Sequence, residues 1–260
     1  MDIQLIPVDQ FQTFLVVTSR VAGFIGAIPV ISSAQTPGRI KTALVFAISL
    51  TLFPLMADAV PNVSFSPIPF LLLMISELLL GLLLGLVARL IFTAVEFGAT
   101  VIGFQMGFAA ANVFDPQSER QVALISQFQN IFAILIFLAV NGHYLFLQTA
   151  VLSYELLPPG QLNLSGEAVP YLMELSSHMF AIGVQFSAPV LAVLLLSGLI
   201  LGILARIFPQ LNVFLISFPI NIGTAFIVIA LTLNMLSILI RREFDTLGER
   251  FLIILNFLNP

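Results

Sequence analysis

Asn141-Gly142-His143-Tyr144-Leu145-Phe146-Leu147-Gln148-Thr149-Ala150-Val151-Leu152-Ser153-Tyr154-Glu155-Leu156-Leu157-Pro158-Pro159-Gly160 is the stretch that decides the architecture. Asn141-Gly142 is a helix stop, and Pro158-Pro159-Gly160 closes the apolar piece that follows. At about 1.5 Å per residue, His143 to Leu157 falls short of a bilayer core of roughly 30 Å. The piece reads as the return arm of a helical hairpin that need not span. Upstream, Asp115 is a good N-cap with Pro116 at the first helical position, which predicts one helix of about 26 residues ending at the same Asn141-Gly142.

The surroundings are those of a membrane protein. Of the 260 residues 59% are hydrophobic and 8% charged, with a mean hydropathy of +1.11; a soluble domain is roughly a quarter charged. Apolar blocks run at about Phe11 to Ile31, Ile40 to Ala57, Ile68 to Phe92, Val122 to Val140, Met179 to Ala205 and Leu211 to Ile240. They are apolar all round, so length and punctuation decide, and both favour helices. The expected fold is all-α, one membrane body over 1–260 without a soluble domain. Met1-Asp2-Ile3 carries no positive residue before Arg20, so the basic region of a cleavable signal is missing and the chain is expected to be retained whole. The absence of cysteine excludes disulfides, thiolate catalysis and Cys-ligated metals. A net charge of −4 with scattered basic residues gives no nucleic-acid partner.

Two features argue against a simple up-and-down bundle. Pro29, Pro54, Pro189 and Pro219 each remove a backbone donor inside a block and are expected to kink or break it. If the loop with Arg39 and Lys41 is cytoplasmic, six regular crossings leave Arg241 and Arg242 outside, against the positive-inside tendency. Some helices are therefore expected not to span.

Between the third and fourth blocks lies Gly103-Phe-Gln-Met-Gly107-Phe-Ala-Ala-Ala-Asn-Val-Phe-Asp-Pro-Gln-Ser118. Its small residues let backbone approach backbone and change conformation, while Phe104, Phe108 and Phe114 supply dry bulk. A mobile seal and a plain re-entrant turn are both compatible with it. Gly81-Leu-Leu-Leu-Gly85-Leu-Val-Ala-Arg89-Leu-Ile-Phe92 resembles Gly198-Leu-Ile-Leu-Gly202-Ile-Leu-Ala-Arg206-Ile-Phe-Pro209, either an internal repeat or a coincidence of leucine-rich helices. With Gly103 and Gly107 these are three small-xxx-small steps, which imply tight helix neighbours within the chain or from partners.

Charges inside apolar blocks cost roughly 2.5 to 3.5 kcal/mol each, so Glu77, Arg89, Glu96 and Arg206 require partners or water. Arg89 and Glu96 lie two turns apart on one face, as an ion pair, a subunit contact or part of a proton or ion path. His143 and His178 have no metalloprotease spacing, and Ser32-Ser33 and Ser176-Ser177 no nucleophile elbow. Nothing in the sequence supports catalysis, a metal or a cofactor. Arg120, Gln127 and Asn130 fall roughly on one helix face, to line a pore or to bond another helix. At 241–260, Phe244, Leu247, Phe251, Ile254, Leu255 and Leu258 alternate with Arg242, Asp245, Glu249 and Arg250. That segment reads as an amphipathic helix at the membrane surface or against a partner.

These motifs together resemble the FliR/SctT family of type III secretion export-gate proteins over nearly the whole chain. The resemblance rests on Gly103-Phe-Gln-Met-Gly107 running into Phe114-Asp115-Pro116, on Asn141-Gly142-His143 and on Leu156-Leu157-Pro158. Further along it rests on Ala205-Arg206, Pro209-Gln210-Leu211 and Phe218-Pro219, and early on Arg20, Pro29 and Pro37 to Lys41. It implies one copy of this chain in a helical hetero-oligomer with several copies of FliP and FliQ, and FlhB beside them. The site implied is the bacterial inner membrane at the flagellar basal body, where unfolded flagellar polypeptides are exported. It also implies that the loop at 103–122 is a channel plug, carried by Met106, Gly107, Phe108, Ala109, Ala110, Ala111, Asn112, Val113 and Phe114. Gly81, Gly85, Gly103, Gly198, Gly202, Pro189 and Pro219 are then packing or hinge positions, and Glu77, Arg89, Glu96 and Arg206 assembly charges. The alternative is a small-molecule secondary transporter with internal repeats and a substrate site between Arg89 and Arg206.

Overall fold

The computed structural model describes residues 8–28, 36–60, 66–107, 120–163, 166–210 and 212–259. These form α1 (Val8–Ala27), α2 (Gly38–Met56, extended by a 3₁₀ turn at Ala57–Ala59), α3 (Pro67–Gln105) and α4 (Arg120–Ala139). They continue with α5 (Gly142–Leu156), α6 (Ala168–Ile207), α7 (Val213–Asp245) and α8 (Leu247–Leu258). The fold is all-α, with no strand among the described residues. Gly38–Met56, Pro67–Gln105, Ala168–Ile207 and Leu215–Leu258 are long and apolar enough to cross a membrane.

Contacts gather the chain into two compact units. The first comprises Met1–Leu90, Asn141–Leu175 and Phe244–Pro260, the second Ile91–Val140 and Ser176–Glu243. The chain passes between them inside α3, α6 and α7 and at the break between α4 and α5. At that break Asn141 holds φ 57 and ψ 30, the left-handed conformation that asparagine tolerates and that ends a helix. The short arm is α5, 15 residues long, but it belongs to a different compact unit from α4, so it is a bent continuation at the break and not the return arm of a hairpin packed on α4. The Asp115-Pro116 start expected for α4 lies outside the described residues.

The end of the third block and the prolines inside the blocks both depart from the sequence reading, for one physical reason. The third block is expected to end at Phe92, yet α3 runs on to Gln105 and reaches 39 residues. Thr93, Gly98, Thr100 and Gly103 are weak helix formers, but away from water the backbone has no other partners for its polar groups. Packing also rewards the glycines. A Cβ on Gly98 would lie 2.6 Å from the Gly183 carbonyl oxygen, and one on Gly183 would lie 2.9 Å from that of Ala94, so α3 and α6 cross at backbone contact in the second unit. Pro54, Pro189 and Pro219 likewise sit inside continuous helices and break none of them. One lost donor costs less than the several that water would have to satisfy if the helix ended. Pro29 lies outside the described residues.

The first unit is built on an equally close crossing. A Cβ on Gly81 would collide with the Arg20 carbonyl oxygen and lie 2.8 Å from the Phe24 nitrogen. One on Gly23 would collide with the Leu78 carbonyl oxygen, and one on Gly85 with the Ala27 Cβ. Beneath this seam, Phe24 stacks on Phe146 at 5.1 Å between ring centres, and Phe251 meets both edge-on at 5.6 and 5.8 Å. Leu247, Phe251, Ile254, Leu255 and Leu258 of α8 are all buried. The C-terminal apolar face expected to meet a membrane surface or a partner is thus covered by the chain itself. Arg241, Arg242 and Asp245 belong to the end of α7.

Candidate functional site

The charge that organises the first unit is Arg20, which the sequence reading used only as a mark of the family resemblance and left out of the charges that need a partner. Arg20, on α1 and 2% exposed, points its guanidinium at the C-terminal end of α5. Its Nε–H donates to Glu77 Oε2 of α3 at 2.6 Å, Nη1 to the Ser153 carbonyl at 2.8 Å and to Ser153 Oγ at 3.2 Å, and Nη2 to the Leu157 carbonyl at 3.0 Å. The guanidinium carbon lies 3.8 Å from the centre of the Tyr154 ring. The last carbonyls of a helix lack ladder partners and carry partial negative charge, which a cation there stabilises. Glu77, 1% exposed, balances the charge and accepts the Gly160 N–H on its other oxygen at 3.3 Å. Gly160 has φ +86, a conformation open to glycine. One planar fork therefore ties α1 and α3 to the end of α5, and the Pro158-Pro159-Gly160 turn closes onto the same carboxylate. The available signal was Arg20 itself, a full charge in the middle of the first apolar block.

Glu77 is the one assembly charge buried within the chain; Arg89, Glu96 and Arg206 are exposed. The two copies of the Gly-xxx-Gly-xxx-Arg pattern also differ in use. Gly81 and Gly85 carry α1 at backbone contact, whereas a methyl added at Gly198 or Gly202 would meet nothing within 4 Å, and both of these glycines are exposed. Gly103 is buried in the last turn of α3, so the helix runs three residues into the stretch read as a loop.

At the end of α3 the chain leaves the helix through Met106 and Gly107. Met106 is fully buried and donates its N–H to Ile102 O at 2.9 Å; Gly107 donates to Phe104 O at 3.1 Å. Gly107 has φ +94, and a Cβ there would lie 3.0 Å from the Phe218 ring, one residue before Pro219 in α7. Phe108 to Phe114 lie outside the described residues. Elsewhere in the second unit Thr100 and Ser126 share a hydrogen bond of 3.0 Å, Ser197 donates to Asn221 at 2.9 Å, and His178 meets Glu243 at 3.2 Å. On α4, Gln127 is exposed and Asn130 half-buried, while Gln129, unremarked in the sequence, is fully buried with neither amide atom partnered. No cluster of potential metal ligands occurs among the described residues.

Residues 11–247 match the family model described as bacterial export proteins, family 1. The chain belongs to this family. The flagellar biosynthetic protein FliR of Bacillus subtilis (strain 168) is 36% identical over 241 residues, 92% of each chain. That of Escherichia coli (strain K12) is 33% identical over 204 residues, 78% of this chain and 77% of the relative, and that of Aquifex aeolicus (strain VF5) is 26% identical over 239 residues, 92% of each. The motif resemblance drawn from the sequence holds. The match to the export-protein family takes in Arg20, Glu77, the Met106-Gly107 turn and the Asn141 to Gly160 arm, and it stops at the first residue of α8.

Proposed function

We propose that this export-family protein is a core subunit of the flagellar export gate in the bacterial inner membrane. One copy joins FliP and FliQ homologues, with FlhB adjacent, to form the channel through which unfolded flagellar polypeptides leave the cytoplasm. It supplies structure rather than chemistry. Its membership of the export family and the relatives named as flagellar biosynthetic proteins support this reading.

The observation that carries the reading toward an assembly is the length of exposed apolar surface. On α6, large apolar side chains are exposed at Val169 (52%) and Met173 (69%) and, beyond the exposed Glu174 and His178, again from Phe180 (51%) to Ile207 (60%), in all a distance of about 57 Å along a helix. A bilayer core of roughly 30 Å, crossed at a tilt of about 40°, the upper end of what helices adopt, covers only about 26 residues. Lipid leaves the remainder bare, so other protein chains must cover it. Gly198 and Gly202 lie on this exposed length and are suited to a partner helix at the close approach that Gly81 and Gly85 give α1. Arg206, exposed near the C-terminal end of α6, and Glu96, exposed on α3, are further polar contacts open to partners. Native mass spectrometry of a tagged copy co-expressed with its neighbouring genes tests the assembly. A large hetero-complex containing this chain once is expected; a stable monomer or homodimer overturns the reading.

Within that assembly, Met106 to Phe114 form the plug that closes the channel at rest. The turn supports this role, because a buried Met106 anchors the segment while Gly107 and its φ +94 allow the chain to redirect there. Deleting Gly107 to Val113 is expected to raise ion leak in cells expressing the gate, read as a growth defect or as loss of membrane potential. Leak equal to wild type removes the plug assignment.

A further inference from the structure

The exposed face of α3 carries no charge from Ile68 to Leu86, since Glu77 is turned inward onto Arg20. That run is about 27 Å along the helix, close to the thickness of a bilayer core. Arg89 is the first exposed charge after it, one turn beyond Leu86. A groove of about 350 Å³ opens there in the first unit, lined by Leu79, Leu82, Leu83 and Leu86, by Ala27 of α1, and by Arg89 at one end. From Leu79 to Arg89 it extends about 15 Å along the helix, half a bilayer core and so the depth of one leaflet.

Width decides between a protein and a lipid occupant. Counting all the open space between the side chains, about 720 Å³ over that length, the slot is about 8 Å across, still under the 10–12 Å of an α-helix with its side chains. An extended hydrocarbon chain fits it. At the open end, a guanidinium offers five donors in a planar fork suited to phosphate oxygens, more than one acceptor can use. Basic residues at the mouth of apolar grooves between membrane helices favour anionic headgroups.

We propose that this groove binds one anionic phospholipid from the membrane. One acyl chain lies along Leu79, Leu82, Leu83 and Leu86 against Ala27, and the phosphate sits on Arg89. The lipid fills the notch on α3 beside Ala27, where α1 ends against Gly85, and it fixes the depth of α3 in the membrane.

The test uses the full chain in mild detergent with an equimolar mixture of phosphatidylglycerol and phosphatidylcholine, the retained lipids being counted by native mass spectrometry. Wild type is expected to keep one phosphatidylglycerol selectively. Arg89→Gln is expected to lower that selectivity about fivefold, the effect of removing one cation at an anionic surface, while Arg89→Lys keeps most of it. Leu82→Trp, at an exposed position, blocks the slot without touching the charge and is expected to lower retention of the lipid. A photoactivatable residue at position 82 is expected to label lipid in cells. Equal selectivity in wild type and Arg89→Gln, unchanged retention in Leu82→Trp, or labelling of a polypeptide at position 82 each overturn the proposal.

Discussion

Arg20→Met is expected to abolish accumulation of the folded chain. The substitution leaves the Glu77 carboxylate buried with only the Gly160 N–H, strips the Leu157 carbonyl of its donor and uncovers the Tyr154 ring. Breaking a buried pair by removing one partner costs about 3–5 kcal/mol, against a total stability of about 5–15 kcal/mol for an ordinary domain. Arg20→Lys keeps the charge but not the fork; it reaches Glu77 or the α5 carbonyls, not both, and is expected to fall between the two. The double change Arg20→Met with Glu77→Met removes the orphaned charge and is expected to recover part of the loss, a positive coupling in a double-mutant cycle. It stays below wild type because the Leu157 carbonyl and the Gly160 N–H remain without partners. Membrane levels and thermal unfolding in detergent read wild type, Arg20→Met, Arg20→Lys, Glu77→Met and the double change, the Glu77→Met single closing the cycle. Wild-type behaviour of Arg20→Met would mean that the clasp contributes nothing to stability.

Gly81→Leu and Gly198→Leu are expected to part company, although they occupy matching places in the two Gly-xxx-Gly-xxx-Arg segments. At Gly81 even the first carbon of a side chain collides with the backbone of α1, which cannot swing aside as the end of a side chain can. Overpacking typically costs about 1–3 kcal/mol and more where backbone must move; here it also displaces Arg20 from Glu77. Gly198 has open space around it, so Gly198→Leu is expected to leave the unfolding of the isolated chain within about 0.5 kcal/mol of wild type, as for a surface change. Its effect is expected in association. The variant folds but fails to enter the hetero-complex, visible as loss of co-purification with FliP and FliQ homologues. If Gly198→Leu assembles normally, that face does not carry a close partner helix. If Gly81→Leu folds normally, the α1 to α3 crossing is looser than the structure has it.

The all-helical class was legible because apolar blocks of this length have few other ways to satisfy their backbone in a membrane. The bounds of the arm from Gly142 to Leu156 were legible too, since Asn141 and Pro158-Pro159-Gly160 bound it on both sides, but its reading as a hairpin return was not borne out, because α5 packs within the first unit and not on α4. Helix ends inside apolar sequence were not. Thr93, Gly98 and Gly103 look like punctuation, and only the passage of α6 across Gly98 shows why the helix continues. The partner of Glu77 was out of reach for a related reason. Blocks that are apolar all round have no readable face, so nothing near Glu77 in sequence points to Arg20, 57 positions away. At the C-terminus the apolar face of α8 was plain from its spacing, but the surface it meets is assembled from Phe24 and Phe146, which are remote from it in the chain. Gln129 is the reverse case: its burial without partners departs from the usual pairing of buried polar groups and left no trace in the helical pattern.

The apolar flank of α6 also bears on how much of the protein a cell keeps. A copy made without companions presents to chaperones and membrane proteases the surface by which they recognise unfinished proteins, and a small change in folded population alters abundance several-fold. Companions that cover the flank remove the degradation signal. Under the proposed assembly, the steady-state amount of this protein is expected to follow the supply of its partners, read as a shorter half-life of the chain when it is expressed without its neighbouring genes.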